Sequence, residues 1–208
     1  MFDYLPQYCE RSQPGLLGEP VNTLSNLAFF LAAWLLWRSP AWQGGPARRM
    51  LIGLVALMGA GSVLWHAIAQ PWALWFDVLP IALFMGAYLW VFLRHVAQLA
   101  RPRAAALFAA FLTVEAALAP LLPPDLLNGV GFYLPGLVAL FAMSAWLAAL
   151  GRREGRAFAQ AACLFAAAIA ARLLDWPLCE ILPMGSHFLW HLLAAAALFV
   201  LVRATVPA

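Results

Sequence analysis

Lysine does not occur anywhere in the 208 residues; all 12 basic side chains are Arg. That absence removes retinal-type Schiff-base chemistry, which needs a Lys amine. Charge of either sign is scarce: 10% of the residues are ionised at neutral pH, where a soluble globular domain carries roughly 25%. The net charge of +3 is scattered along the chain, with no basic stripe, and this excludes nucleic acid as a partner. Three cysteines, Cys9, Cys163 and Cys179, are too few for a disulfide scaffold. Residues 1–20 lack the apolar run of a signal peptide. They hold Asp3, Glu10 and Glu19 and are expected to belong to the mature protein.

What is abundant is apolar: 65% of the residues, with a mean hydropathy of +0.86. A hydrocarbon core of about 30 Å needs roughly 20 helical residues. Seven runs meet that need, at about 21–37, 50–69, 75–94, 104–120, 131–150, 157–174 and 185–203. The breaks between them carry turn residues, as at Ser39-Pro40, Gly44-Gly45-Pro46, Gln70-Pro71 and Pro123-Pro124-Asp125. The expected fold is therefore all-α, a polytopic seven-transmembrane-helix bundle forming one membrane domain over 1–208. Arg38, Arg48, Arg49, Arg94, Arg101, Arg103, Arg152, Arg153, Arg156 and Arg203 fall on one side of that topology, and only Arg11 and Arg172 on the other. The positive-inside rule then predicts an outer N-terminus and a cytoplasmic C-terminus in a multi-pass protein of the cell or inner membrane.

Ionisable groups inside spans are costly and mark function. Three of the four histidines, His66, His187 and His191, fall at the predicted outer end of the bundle, and His95 falls at the other end. His187 and His191 are i and i+4, so both imidazoles leave one helix face a turn apart. With His66 they make a three-His set with a fourth position open, the usual form of a catalytic zinc site. Ser62 lies one turn deeper than His66 on the same face. Asp77 follows after the turn at Gln70-Pro71-Trp72. A metal-activated water, a carboxylate to take its proton and a hydroxyl for an oxyanion make a hydrolytic set. Each element has a plainer reading. Ser62 alone is a small packing residue, Asp77 alone a charge favoured by a helix N-terminus, and Glu19-Pro20 alone a Pro-started helix. Asn22, Thr23, Ser25 and Asn26 read as polar packing in the first span, and Cys163 as packing within the sixth.

As a set, Ser62-xxx-His66, Asp77 and His187-xxx-His191 resemble the alkaline ceramidases, within the wider superfamily that includes the adiponectin receptors. Glu19-Pro20-Val21-Asn22-Thr23-Leu24-Ser25-Asn26 is similar to the family's Glu-x-x-Asn-Thr-x-Ser-Asn, and Arg172-xx-Asp175-xxx-Cys179 to its segment before the last span. The resemblance implies zinc on His66, His187 and His191, Asp77 as general base and Ser62 as oxyanion support. The implied reaction is hydrolysis of the N-acyl bond of ceramide or a related amide lipid to a fatty acid and a sphingoid base; the Arg counts place the expected site near the non-cytoplasmic face. It also implies calcium near the N-terminus, with Tyr8, Glu10 and Glu19 as ligand candidates. Gln7 and Ser12 stand where the family has a carboxylate and an amide. Finally, it supports a Cys9–Cys179 disulfide if that side is oxidising. Two other classes remain open at this stage: a non-catalytic, receptor-like or structural zinc protein, and a bis-His haem protein.

Overall fold

Proline punctuates the chain. Pro20, Pro46 and Pro71 each open a helix, where the missing N–H has no partner to lose. In a computed structural model describing residues 5–13, 15, 17–39, 45–121 and 126–205, every regular element is helical. The helices are α1 (Pro20–Ser25), α2 (Leu27–Arg38), α3 (Pro46–Ile68), α4 (Pro71–Val91), α5 (Arg101–Leu118), α6 (Leu134–Ala149), α7 (Glu154–Leu173) and α8 (His187–Ala204). A π turn at Phe92–Val96 prolongs α4, and a 3-10 segment at Leu126–Tyr133 leads into α6. Asp3 and the expected breaks at Pro40, Gly44 and Pro123-Pro124-Asp125 lie outside the described residues.

Six stretches are long and apolar enough to cross a membrane: Pro20–Arg38, Pro46–Ile68, Pro71–Val96, Gly129–Ala149, Glu154–Leu173 and His187–Ala204. The protein is thus an all-α polytopic membrane protein. The run expected at 104–120 does form a helix, α5, but Arg101, Arg103 and Glu115 set it apart from the other six. Only Ala104 of α5 is buried, and the helix rests at the edge of the bundle against α4 and its π turn. Helix α8 packs on α7, α2 and α3, while α3 pairs with α4 and α6 with α7. The apolar core fills the middle and one end. Every buried polar side chain among the described residues except Thr205 gathers at the other end. Arg11 and Arg172, the two arginines expected on that side, are both buried there rather than lying in solvent.

Two residues, Ala69 and Gln70, separate α3 from α4. Ala69 takes the left-handed conformation (φ 53°) and returns its N–H to the Trp65 carbonyl, which closes α3 and sends α4 back antiparallel. Pro80, inside α4, has no N–H to give the Phe76 carbonyl. That carbonyl instead presses on Gly61 of α3, where a Cβ would stand 1.8 Å from it. The bare glycine lets the helices approach at the level where Ser62 and Asp77 face the same space.

A Cys9–Cys179 disulfide joins the N-terminal segment to the loop before α8, with the two Cα atoms 5.5 Å apart. Cys163 is a free thiol on the exposed face of α7, so it is not the interior packing residue that its mid-span position suggested.

Gly61→Ala is expected to lower the thermal midpoint, at a cost of about 1–3 kcal/mol from overpacking. Gly53→Ala, on the same helix with open space around it, should be neutral or slightly stabilising. Peptide mapping without reductant should recover Cys9 and Cys179 as one linked pair and Cys163 as a free thiol; three free thiols would contradict the fold.

Candidate metal centre

The polar end is assembled from five parts of the chain. Helix α3 delivers Ser62 and His66 in its last two turns, and α4 delivers Asp77. Helix α8 brings His187 and His191 in its first two turns, the α1–α2 junction brings Ser25, and the N-terminal segment brings Tyr8, Glu10, Arg11 and Glu19. His66, His187 and His191 are all but fully buried, and one ligand atom from each lies within 4.8 Å of the others.

The hydrogen bonds fix the tautomer of one of these rings and orient a second. His66 Nδ1 is 2.6 Å from Glu19 Oε2, and a carboxylate accepts, so this nitrogen carries the proton and Nε2 keeps its lone pair. The Ser25 hydroxyl lies 2.8 Å from the Asn22 carbonyl and 2.7 Å from His191 Nδ1. The Nε2 atoms of His66 and His191 face each other at 3.1 Å. The His187 ring adds a buried Nδ1 with no hydrogen-bond partner. A three-imidazole donor set of this kind fits zinc, and Glu19 and Ser25 supply the outer hydrogen bonds that orient metal-binding histidines.

Local structure explains how these partners arrive. The Asn22 carbonyl also accepts from Asn26 Nδ2 at 2.8 Å, so side chains take the place of a backbone donor, and the helix breaks at Asn26. That break turns Ser25 toward α8. The start of α8 is held by Asp175, whose Oδ1 accepts the Ser186 and His187 N–H groups at 2.8 and 2.9 Å while Oδ2 accepts the Cys9 N–H at 2.9 Å. Gly185 (φ 65°) leaves room for that carboxylate, since a Cβ there would stand 2.0 Å from Oδ1. Tyr8 stacks on the His187 ring with centroids 3.7 Å apart. The Arg172 guanidinium lies over the faces of Tyr8, Tyr133 and Trp190 at 5.3–5.7 Å.

Ser62 and Asp77 lie beside this cluster at one end of an apolar cavity. The Asp77 carboxylate is within reach of the Ser62 hydroxyl and lies close to His66. Asp77 sits two turns inside α4 rather than at its start, because α4 begins at Pro71. The cavity continues past Ile81, Phe84, Met85 and Leu140 to Leu201 near the far end of α8. From Asp77 to Leu89 it follows about 18 Å of α4. Among the described residues Asp77 is its only charged lining residue.

The expected calcium ligands are each committed to other partners. Glu10 accepts the Val21 and Asn22 N–H groups at 2.7 and 2.8 Å and so caps α1; burial pushes its carboxyl up in spite of those donors. Tyr8 is committed to the His187 ring, and burial likewise raises its hydroxyl. Glu19 has one oxygen on Arg11 and the other on His66 and Asn22. Burial pushes its carboxyl up, but the hydrogen bond from His66, with Arg11 alongside, holds it below the usual range. A guanidinium thus sits where a calcium ion would need oxygen, and the donor set does not fit that ion.

Ser25, Glu19, Asp175 and Arg172 are the residues whose roles spacing did not reveal. Ser25 and Glu19 carried the reading of packing or helix start, and only their long-range partners show otherwise. Asp175 appeared only within the segment before the last span, and Arg172 there and in the Arg count of the outer side.

No curated protein sequence matches this chain. A protein-family model described as Ceramidase matches residues 7–206, from ahead of Cys9 to beyond the end of α8, and so takes in the histidine cluster, the Ser62–Asp77 pair and the disulfide. With nearly its whole length inside that match, the chain belongs to the Ceramidase family.

Proposed function

We propose that this protein is a zinc-dependent amide hydrolase of the membrane, cleaving the N-acyl bond of ceramide or a related amide lipid to a fatty acid and an amine. The observation that carries the proposal is the juxtaposition of the buried three-histidine cluster with Ser62 and Asp77 at the end of a long apolar cavity. The family match supports a ceramide-hydrolysing activity. In the same reading the chain crosses the membrane seven times as one domain, α5 included, with its N-terminus and the site toward the non-cytoplasmic face.

His66, His187 and His191 would hold the metal. Zinc there would acidify a water and polarise the amide carbonyl. Asp77 takes the proton from the attacking water on its carboxylate, and the new C–O bond forms as that proton leaves. It then returns the proton to the amide nitrogen, so that the C–N bond breaks to release a neutral amine rather than an amide anion. Ser62, whose hydroxyl already faces Asp77, orients the carboxylate and offers a donor to the developing oxyanion. The cavity receives the acyl chain. Its apolar walls keep bulk water away from the carboxylate, so proton transfer runs between Asp77 and the reacting atoms alone.

His191→Ala, purified in detergent, should lose zinc and the cleavage of a fluorescent ceramide together. Asp77→Asn should keep the metal and lower kcat by about 10²–10⁴-fold, the usual worth of a general base. Zinc in the wild type without cleavage of any amide lipid would favour a receptor-like protein. A wild type free of zinc would remove the basis of the reading.

A further inference from the structure

The Arg11 guanidinium is buried and enclosed by oxygen. Its Nε donates to Glu19 Oε1 at 2.5 Å, and Nη1 donates to the carbonyls of Gln13 and Gly15 at 3.2 and 3.3 Å. Nη2 donates to the His66 carbonyl. One carboxylate and three backbone carbonyls converging on a positive group are the kind of donors that hold a hard cation. The His66 carbonyl lies in the last turn of α3, where unpaired C=O groups and the helix dipole both favour positive charge. Gly18 completes the cradle, because a Cβ there would stand 2.4 Å from Nη1 and 2.2 Å from the Gln13 carbonyl. Calcium, which the family resemblance implies for this segment, takes six to eight oxygens. Here the Glu10 oxygens are spent on the α1 N–H groups, and those of Glu19 are shared among Arg11, His66 and Asn22.

We propose that Arg11 is a built-in cation for the metal centre, a positioning residue that fixes Glu19 against His66 and leaves the protein independent of calcium. Glu19 is the link. Arg11 holds Oε1, which sets the rotation of the carboxylate so that Oε2 meets the His66 Nδ1–H. The same guanidinium grips the His66 backbone, so the ring is fixed at both its main chain and its outer nitrogen. A covalently supplied cation is present at every calcium concentration, and its planar fork sets direction as well as charge. Only the zinc arm of the test below rests on the hydrolase reading.

The wild-type protein is titrated with calcium by calorimetry, and its thermal midpoint is compared in EGTA and in millimolar calcium. No saturable binding and an unchanged midpoint are expected. Saturable binding with a raised midpoint would overturn the proposal. Zinc affinity is then measured by chelator competition. Arg11→Gln should weaken it about 10- to 100-fold, the effect of losing an outer partner of a metal-bound histidine. Arg11→Lys should recover part of the loss, since it keeps the charge and loses the fork. Wild-type zinc affinity in Arg11→Gln, or no recovery in Arg11→Lys, would also overturn it. Should Arg11→Gln fail to fold, the calcium titration of the wild type still decides. A wild type without zinc would sink the hydrolase reading and leave that titration equally able to test Arg11.

Discussion

The contact between His66 Nε2 and His191 Nε2, 3.1 Å apart in a buried site, organises the polar end. The Glu19 carboxylate puts the proton of the first ring on Nδ1 and so leaves its Nε2 lone pair facing the second ring, whose Nδ1 in turn meets Ser25. Hydrogen bonds that would otherwise be ordinary packing contacts thereby become determinants of which nitrogens the cluster presents and of what it can bind.

That arrangement depends on the N-terminal segment as much as on the helices. Glu10 caps α1 and Glu19 orients His66; Tyr8 covers the His187 ring, and the Cys9 N–H reaches the carboxylate that caps α8. A loop lying over a bundle end would ordinarily be the mobile part of the molecule. Here its side chains are the outer supports of the histidines, and the disulfide anchors it to the segment from which α8 starts.

The helices were legible in the sequence because membrane spans announce themselves by hydropathy, and each predicted run falls on helix, the first broken at Asn26 and the second and third opening a few residues early at Pro46 and Pro71. The histidine cluster was legible from the i, i+4 spacing on α8 and the shared depth of His66. What spacing could not reveal were partners brought together across long stretches of chain. Ser25 and His191 are 166 residues apart, and Glu19 and His66 are 47 apart. Read locally, Glu19 is an acid before a helix-opening proline and Ser25 is a small polar residue in a span. Both descriptions hold and both miss the role. Arg11 and Arg172 were counted only as charges of the outer side, since burial of an arginine depends on carbonyls and aromatic faces that only the fold supplies. Helix α5 falls where its hydropathy suggested a helix, but it lies at the edge of the bundle with only Ala104 buried, a placement that hydropathy does not encode.

The disulfide links residues 170 positions apart, and two of the three histidines lie in the last helix. Chains are made from the N-terminus onward. During biogenesis Cys9 therefore emerges first and waits, unpaired, until almost the whole protein has followed it. The histidine cluster cannot close before α8 is in place, and α8 also walls the cavity with Trp190, Ala194 and Leu201, so a truncated or stalled product would lack both. Completion of the centre becomes a late checkpoint on assembly, with thiol oxidation joining the first part of the chain to the last.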